Sequence, residues 1–79
     1  DVELSRIGIY PNPSDGWFSI HGYDGVAEIT VLNGFGKEIF RRKMQLPAEV
    51  DLPSLPAGMY VVRIQTGAGA EVLRKLIIK

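Results

Sequence analysis

The chain of 79 residues has no cysteine, one histidine and one tryptophan, and its nine acidic residues balance its nine basic residues. Without cysteine no disulfide can stabilise the fold, and cysteine usage gives no indication of the cellular compartment. This length corresponds to one domain near the lower size limit for folding without a disulfide or metal. Stability must therefore come from one compact core, for which the hydrophobic content of 46% is sufficient.

Long apolar stretches and a basic leader are also missing. No segment approaches the roughly 20 apolar residues of a membrane-spanning helix. The first four residues, Asp1-Val2-Glu3-Leu4, include neither the initiator methionine nor the basic start of a secretory signal peptide. We therefore expect the chain to be part of a longer protein, with residues 1–5 ending an interdomain linker and residues 6–79 forming the domain.

Basic residues are too dispersed for nucleic-acid binding. The one basic run, Arg41-Arg42-Lys43, lies in a predicted strand, where alternation places Arg42 on the opposite face from its neighbours. With a net charge of zero, the chain has no overall attraction for phosphate or for an anionic membrane. We expect no nucleic-acid partner and no embedding in a membrane.

The usual arrangements for catalysis and metal binding are absent from the sequence. A Ser-His-Asp triad would have to use His21, and no nucleophile motif of the G-x-S-x-G type is present. His21 and Asp24 are three residues apart, but no spacing supplies a third metal ligand. The sequence predicts a protein without catalytic residues, metal or cofactor.

Glycine and proline interrupt the chain at short intervals, and the intervening segments are rich in Ile, Val, Phe and Tyr. Such segments suit strands and are too short for most helices. We predict seven strands, at about residues 7–10, 17–21, 27–32, 38–44, 49–52, 58–66 and 71–79. The predicted fold is all-β, an immunoglobulin-like β-sandwich of about seven antiparallel strands. Asn33-Gly34 predicts a tight hairpin turn, since both residues tolerate positive φ.

Four motifs follow one another along the chain. The first, residues 10–20, opens with Tyr10-Pro11-Asn12-Pro13-Ser14-Asp15-Gly16, and the second, residues 29–39, contains the turn Asn33-Gly34-Phe35-Gly36. The third, residues 50–64, contains Leu52-Pro53-Ser54-Leu55-Pro56-Ala57-Gly58-Met59-Tyr60, and the last is Lys75-Leu76-Ile77-Ile78-Lys79. In this order and spacing, residues 7–79 resemble the type A C-terminal sorting domain of the type IX secretion system of Bacteroidota. The signature turn residues are Tyr10, Pro11, Asn12, Pro13, Gly16, Gly34, Gly36, Leu55, Pro56, Gly58 and Tyr60. Asn33 and Pro53 depart from the family pattern, which often has Asp at the first position and Ser or Thr at the second.

The resemblance implies that the chain is a secretion signal at the C-terminus of a cargo protein. Such domains are recognised by the outer-membrane translocon after the cargo has reached the periplasm. A sortase-like cysteine peptidase then typically cuts upstream of the domain, and the cargo is often joined to an anionic lipopolysaccharide at the cell surface. The implied partners are the translocon, the sortase components and the upstream cargo domain of the same parent chain.

The last predicted strand contains apolar residues on both faces. Val72, Leu76 and Ile78 can face the core, which turns Leu73 and Ile77 outward. Either a partner covers these two residues, or a neighbouring strand of the same sheet does, and the sequence leaves both open. The candidate recognition residues are Leu73, Lys75, Leu76, Ile77, Ile78 and Lys79.

Two alternative functions remain open at this point. The domain could be an immunoglobulin-like accessory module of an adhesin or secreted enzyme that binds carbohydrate or protein, or a docking domain that is retained after export. An edge strand could also make the domain dimerise. Carbohydrate-binding modules usually have an aromatic platform, whereas the aromatic residues here are only 9% of the chain and are spread along it. Trp17, Phe18 and Tyr23 could form an exposed patch, but alternation divides Trp17 and Phe18 between solvent and core.

Overall fold

The computed structural model describes residues 6–10, 15–52, 54–67 and 69–79. The strands in this part of the chain are β1 (Gly8–Tyr10), β2 (Trp17–Leu32), β3 (Glu38–Asp51), β4 (Gly58–Thr66) and β5 (Glu71–Ile78). All neighbours are antiparallel, in the order β1-β2-β4-β5, and β3 also pairs with β2. The all-β prediction is confirmed, but the prediction of seven strands is wrong because the sheet has five.

The sheet has two strands fewer than predicted because β2 and β3 each join two predicted strands and continue through the predicted turns between them. β2 passes through Gly22 and Gly25, and β3 passes through Pro47. The register between them shifts between Ile20 and Gly25, which is a bulge that bends the strands without ending them. Glycine and proline at these positions predict that the strands end there. The structure shows instead that only the pairing between β2 and β3 is interrupted, while both chains stay extended.

The bulge divides the sheet into two parts. The N-terminal half-sheet contains β1, residues 17–20 of β2 and residues 48–51 of β3. The C-terminal half-sheet contains residues 38–46 of β3, residues 25–32 of β2, β4 and β5. Each half-sheet has one face toward the core and one outer face.

One apolar cluster unites the two half-sheets. Its members are Ile7, Phe18, Ile20, Ala27, Ile29, Val31, Leu46, Val50, Leu52, Tyr60, Val62, Ile64, Leu76 and Ile78. β1 and β5 do not pair but lie in contact, and Nε of Arg74 donates a hydrogen bond of 2.8 Å to the carbonyl oxygen of Ile7. The first and last strands therefore meet across the same core.

Gly22 permits a close approach between the bulge and the segment before β1. Its φ is 98°, and a Cβ atom built on it would lie 2.0 Å from the carbonyl oxygen of Arg6. Any side chain at this position would push the two segments apart, because such a distance is far inside van der Waals contact. Glycine is therefore required at the point where β2 bends.

The β2–β3 hairpin forms at the predicted position but by a different mechanism. Neither Asn33 nor Gly34 has positive φ, which corrects the expected turn, and Gly36 adopts a φ of 82° instead. Oδ1 of Asn33 accepts hydrogen bonds from the backbone N–H groups of Phe35 and Lys37, at 2.9 and 3.0 Å. The Asn33 side chain thus stabilises the loop as an Asx turn.

Candidate recognition surface

β5 has the two-faced character that its sequence predicts. Leu76 and Ile78 are buried in the core, and Val72 is half-buried against it. Leu73 is 55% exposed on the other face, where Lys75 is also exposed and Ile77 is half-buried. A partner of the folded domain can therefore contact Leu73, Lys75 and Ile77, but not the side chains of Leu76 and Ile78.

β4 places further apolar side chains beside the exposed face of β5. Met59 lies opposite Ile77, Val61 opposite Lys75, and Arg63 opposite Leu73. Met59 is 55% exposed, and Val61 is half-buried. Cross-strand neighbours on one face have Cβ atoms about 5 Å apart, so these side chains form one continuous surface.

The β2–β3 hairpin loop closes this surface into a groove. We call it the outer groove; its volume is about 400 Å³, and its lining residues are Leu32, Asn33, Gly34, Gly36, Met59, Val61, Arg63, Glu71 and Leu73. The loop thus places Gly34 and Gly36 in the same groove as the candidate recognition residue Leu73. A groove of this size is large enough for one or two apolar side chains of a partner.

An ion pair limits the outer groove at its polar end. Nε of Arg63 lies 3.6 Å from Oε2 of Glu71, with both side chains partly exposed. Nε of Arg63 itself is buried and donates no hydrogen bond to any described residue. The groove therefore combines an apolar floor with an ion pair at one end.

Lys79 lies apart from the outer groove. Its Nζ is 3.7 Å from Oδ1 of Asp15, and both side chains are largely exposed. Exposed ion pairs of this kind contribute little to stability. The predicted recognition residues thus separate into a groove-side group, two buried core residues and Lys79 near the start of β2.

The signature residues around β4 have structural roles. The Tyr60 ring is buried, and its hydroxyl donates a hydrogen bond of 2.6 Å to the carbonyl oxygen of Pro56. Leu55 packs against the core, and Gly58 is the first residue of β4. These residues hold the strand that forms one wall of the outer groove.

The signature residues near β1 are only partly within the described chain. The carbonyl oxygen of Gly16 accepts a hydrogen bond of 2.8 Å from the N–H of Leu52, which joins the first turn to the third motif. The Tyr10 ring is exposed and meets the His21 ring edge to face, at 4.9 Å between centroids. Pro11, Asn12 and Pro13 lie outside the described residues, as do residues 1–5 and Pro53.

Leu32, Met59 and Val61 were not predicted as part of the surface. Alternation in β4 could have indicated the outward direction of Met59 and Val61, since Tyr60 and Val62 between and beside them face the core. The sequence offers no signal that β4 lies between β2 and β5. Only the strand order places the hairpin loop, β4 and β5 around one groove.

No group of three or more metal-ligating side chains occurs among the described residues. Nor does any helix long and apolar enough to cross a membrane occur in that part of the chain. On the outer face of the C-terminal half-sheet, the Glu38 carboxylate lies 2.6 Å from Nη2 of Arg41, and this hydrogen bond raises the pKa of the guanidinium above its ordinary value. These ions lie on the exposed β3 strand and suit a solvated edge.

In comparisons with known proteins, the chain matches a family model and is similar in fold to a solved structure. The model of the secretion system C-terminal sorting domain family matches residues 8–79. Among solved structures, the crystal structure of CopC from Methylosinus trichosporium OB3b is similar, with a TM-score of 0.56, 23% identity, and coverage of 92% of this chain and 93% of that chain. At this identity the likeness concerns the fold alone. No curated protein matches the chain.

Proposed function

Because the chain belongs to the secretion system C-terminal sorting domains, we propose that it is the export address of a longer parent protein. The translocon of the type IX system recognises the folded domain after the parent has entered the periplasm, and the parent then reaches the cell surface or the medium. The observation that carries this proposal is the family match over residues 8–79. The domain itself catalyses no reaction and binds no cofactor in this scheme.

In this proposal, the translocon recognises the surface formed by the outer groove and the exposed face of β5. Exposed apolar side chains that are adjacent and rimmed by polar residues are typical of protein interaction sites. Met59 and Leu73 are each 55% exposed on this surface, which is an unfavourable arrangement for a domain that is never covered. Lys75 and Ile77 lie directly beside them on the same face.

Leu76 and Ile78 act in recognition only through the fold. Both are buried, so their contribution is to hold β5 against the core and to present Leu73 on the opposite face. This divides the apolar terminal motif into two functions. Changes in the buried residues impair export by unfolding the domain, whereas changes in the exposed residues impair export of a domain that remains folded.

The finer steps implied by the family are also part of the proposal. A sortase-like peptidase cuts upstream of the domain, and the released parent is joined to a surface lipopolysaccharide. Mass spectrometry of the mature parent from the medium and the cell surface tests this step. Peptides from residues 6–79 that are absent from the mature parent support cleavage, whereas their presence in equal amount shows a retained domain.

The two half-sheets form the layers of an immunoglobulin-like sandwich in this proposal. Two observations support this arrangement: both half-sheets contribute to one core, and the Tyr60 hydroxyl donates a hydrogen bond to the Pro56 carbonyl oxygen. A tyrosine that bonds to the backbone a few residues upstream is typical of the corner between the sheets of such sandwiches. An experimental structure in which the outer faces of the half-sheets point the same way would contradict it.

A transplanted domain tests the proposed function directly. The 79 residues are fused to the C-terminus of a periplasmic reporter in a bacterium with a type IX system, and the reporter outside the cell is measured. We expect export with the domain, retention without it, and retention with the same fusion in a strain lacking the translocon. Export that persists without the translocon would contradict the proposal.

A further inference from the structure

The outer face of the N-terminal half-sheet carries aromatic side chains from two neighbouring strands, β1 and β2. Tyr10 is 56% exposed and Trp17 is 43% exposed. Both lie on the opposite face from the buried Phe18 and Ile20, together with His21. We call this surface the aromatic face; its residues are Tyr10, Trp17, Ser19, His21, Glu49 and Asp51.

The strand register places a carboxylate on the neighbouring strand from Trp17 and two strands away from Tyr10. Tyr10 and Glu49 lie on either side of Ser19, since Ser19 is opposite both of them. Trp17 lies directly opposite Asp51. Because neighbouring strands are about 4.8 Å apart, a cation above Ser19 reaches both Tyr10 and Glu49.

The spacing between the two aromatic–carboxylate pairs equals the repeat of an extended peptide. Trp17 and Ser19 are two residues apart in β2, as are Glu49 and Asp51 in β3. Two residues of strand span about 7 Å, which is also the distance between side chains i and i+2 of an extended partner. The two pairs can therefore receive two alternate side chains of one segment.

A cleft of about 260 Å³ lies at the first pair, where the β2–β3 register shifts. Its lining residues are Tyr10, Ser19, Ile20, His21, Pro47, Ala48 and Glu49. The Tyr10 and His21 rings form one wall, inclined at 69° to each other. A cleft of this volume holds one long side chain and is smaller than the usual pocket for a drug-sized ligand.

The charge of the aromatic face favours a cation. Glu49 and Asp51 are exposed, and neither forms an ion pair or a side-chain hydrogen bond with any described residue. Neither lysine nor arginine lines the cleft, and its one basic side chain is the His21 imidazole. An ammonium or guanidinium group gains from both an aromatic ring and a carboxylate, and a guanidinium can also stack on the ring.

From these observations we propose that the aromatic face binds an extended basic segment of a partner protein, with Arg or Lys at positions i and i+2. One cation occupies the cleft between Tyr10 and Glu49, and the second lies between Trp17 and Asp51. This site is separate from the outer groove, which lies on the other half-sheet. It gives the domain a second protein contact in addition to the one proposed for export.

The test uses Trp17, the one tryptophan of the chain, as the reporter of binding. The 79-residue chain is titrated with acetyl-Thr-Arg-Thr-Arg-Thr-amide at low salt, and the fluorescence of Trp17 is followed. We expect saturable binding that weakens as salt is added, because the contacts are between exposed charges. The peptide acetyl-Thr-Thr-Arg-Arg-Thr-amide has the same charge but the wrong spacing, and we expect it to bind more weakly.

Matched variants locate the site. Glu49→Gln with Asp51→Asn removes both carboxylates, and we expect the affinity to fall about tenfold. Glu28→Gln with Glu38→Gln removes the same charge from the other half-sheet, outside the outer groove, and should leave the affinity unchanged. Equal losses in both double variants, or no saturable binding at all, overturn the proposal. Binding of a neutral oligosaccharide such as cellohexaose with equal strength by the wild type and the Glu49/Asp51 variant also overturns it, in favour of a saccharide site.

Discussion

Tyr60 combines two interactions that keep the third motif folded. Its ring is buried in the core, and its hydroxyl donates to the carbonyl oxygen of Pro56, four residues upstream. These two interactions fix the segment that leads into β4. Nothing in this arrangement requires contact with a partner.

Tyr60→Phe removes the hydroxyl and leaves the ring. We expect it to lower the free energy of unfolding by about 0.5–1.5 kcal/mol, the net value of one hydrogen bond, as measured by urea denaturation. Tyr23→Phe is a matched control, since the Tyr23 hydroxyl forms no hydrogen bond with a described residue. Equal midpoints for the two variants would show that the Pro56 contact contributes nothing.

Gly22 and Gly36 both adopt positive φ but differ in their surroundings. Gly36→Ala should cost about 1–2 kcal/mol for the left-handed conformation alone, because no atom lies within 4 Å of its added Cβ. Gly22→Ala should cost about 3 kcal/mol or more, because its Cβ would also collide with the Arg6 carbonyl. Thermal unfolding of the two variants measures the difference. A smaller loss for Gly22→Ala than for Gly36→Ala would contradict the close approach.

Alternation in β5 separates the residues that stabilise the core from the residues that we propose for recognition. Leu76→Ala creates a cavity in the core and should cost about 2–5 kcal/mol, which is most of the stability of a domain this small. Leu73→Ala removes a side chain that is half in solvent and should change stability by less than about 0.5 kcal/mol. Chemical denaturation of both variants tests this division. Comparable losses would mean that Leu73 is covered in the folded domain.

The strand positions could be predicted where alternation is regular. The predicted range 58–66 coincides with β4, and the predicted range 71–79 exceeds β5 by only one residue. The predicted ranges divide both β2 and β3 in two, because Gly22 and Pro47 are typical turn residues. In the structure the chain stays extended through a bulge at both positions. Local sequence does not distinguish a bulge from a turn when pairing with distant strands decides between them.

The two surfaces could not be predicted, because they depend on which strands become neighbours. Tyr10 and Glu49 are 39 positions apart in the chain and meet on either side of Ser19 through β2. The outer groove likewise needs β4 between β2 and β5. The sequence could predict Leu73 as an outward residue, but not Met59 as its companion.

At the scale of the whole molecule, the two half-sheets present different outer faces to solvent. The C-terminal half-sheet carries the apolar outer groove, and the N-terminal half-sheet carries the aromatic face with its two carboxylates. In a domain that we propose to be a secretion signal, both outer faces are accessible to partner proteins. We propose that the translocon recognises the outer groove of the folded domain.

Export of a reporter fused to the Met59→Gln/Leu73→Gln variant tests this claim most directly. The control is Val26→Gln, which places the same polar group at a site 49% exposed outside the outer groove. Both proteins should unfold at the temperature of the wild type in isolation. We expect the groove variant to stay in the periplasm, whereas the Val26 variant is exported normally. Normal export of the folded groove variant would contradict it.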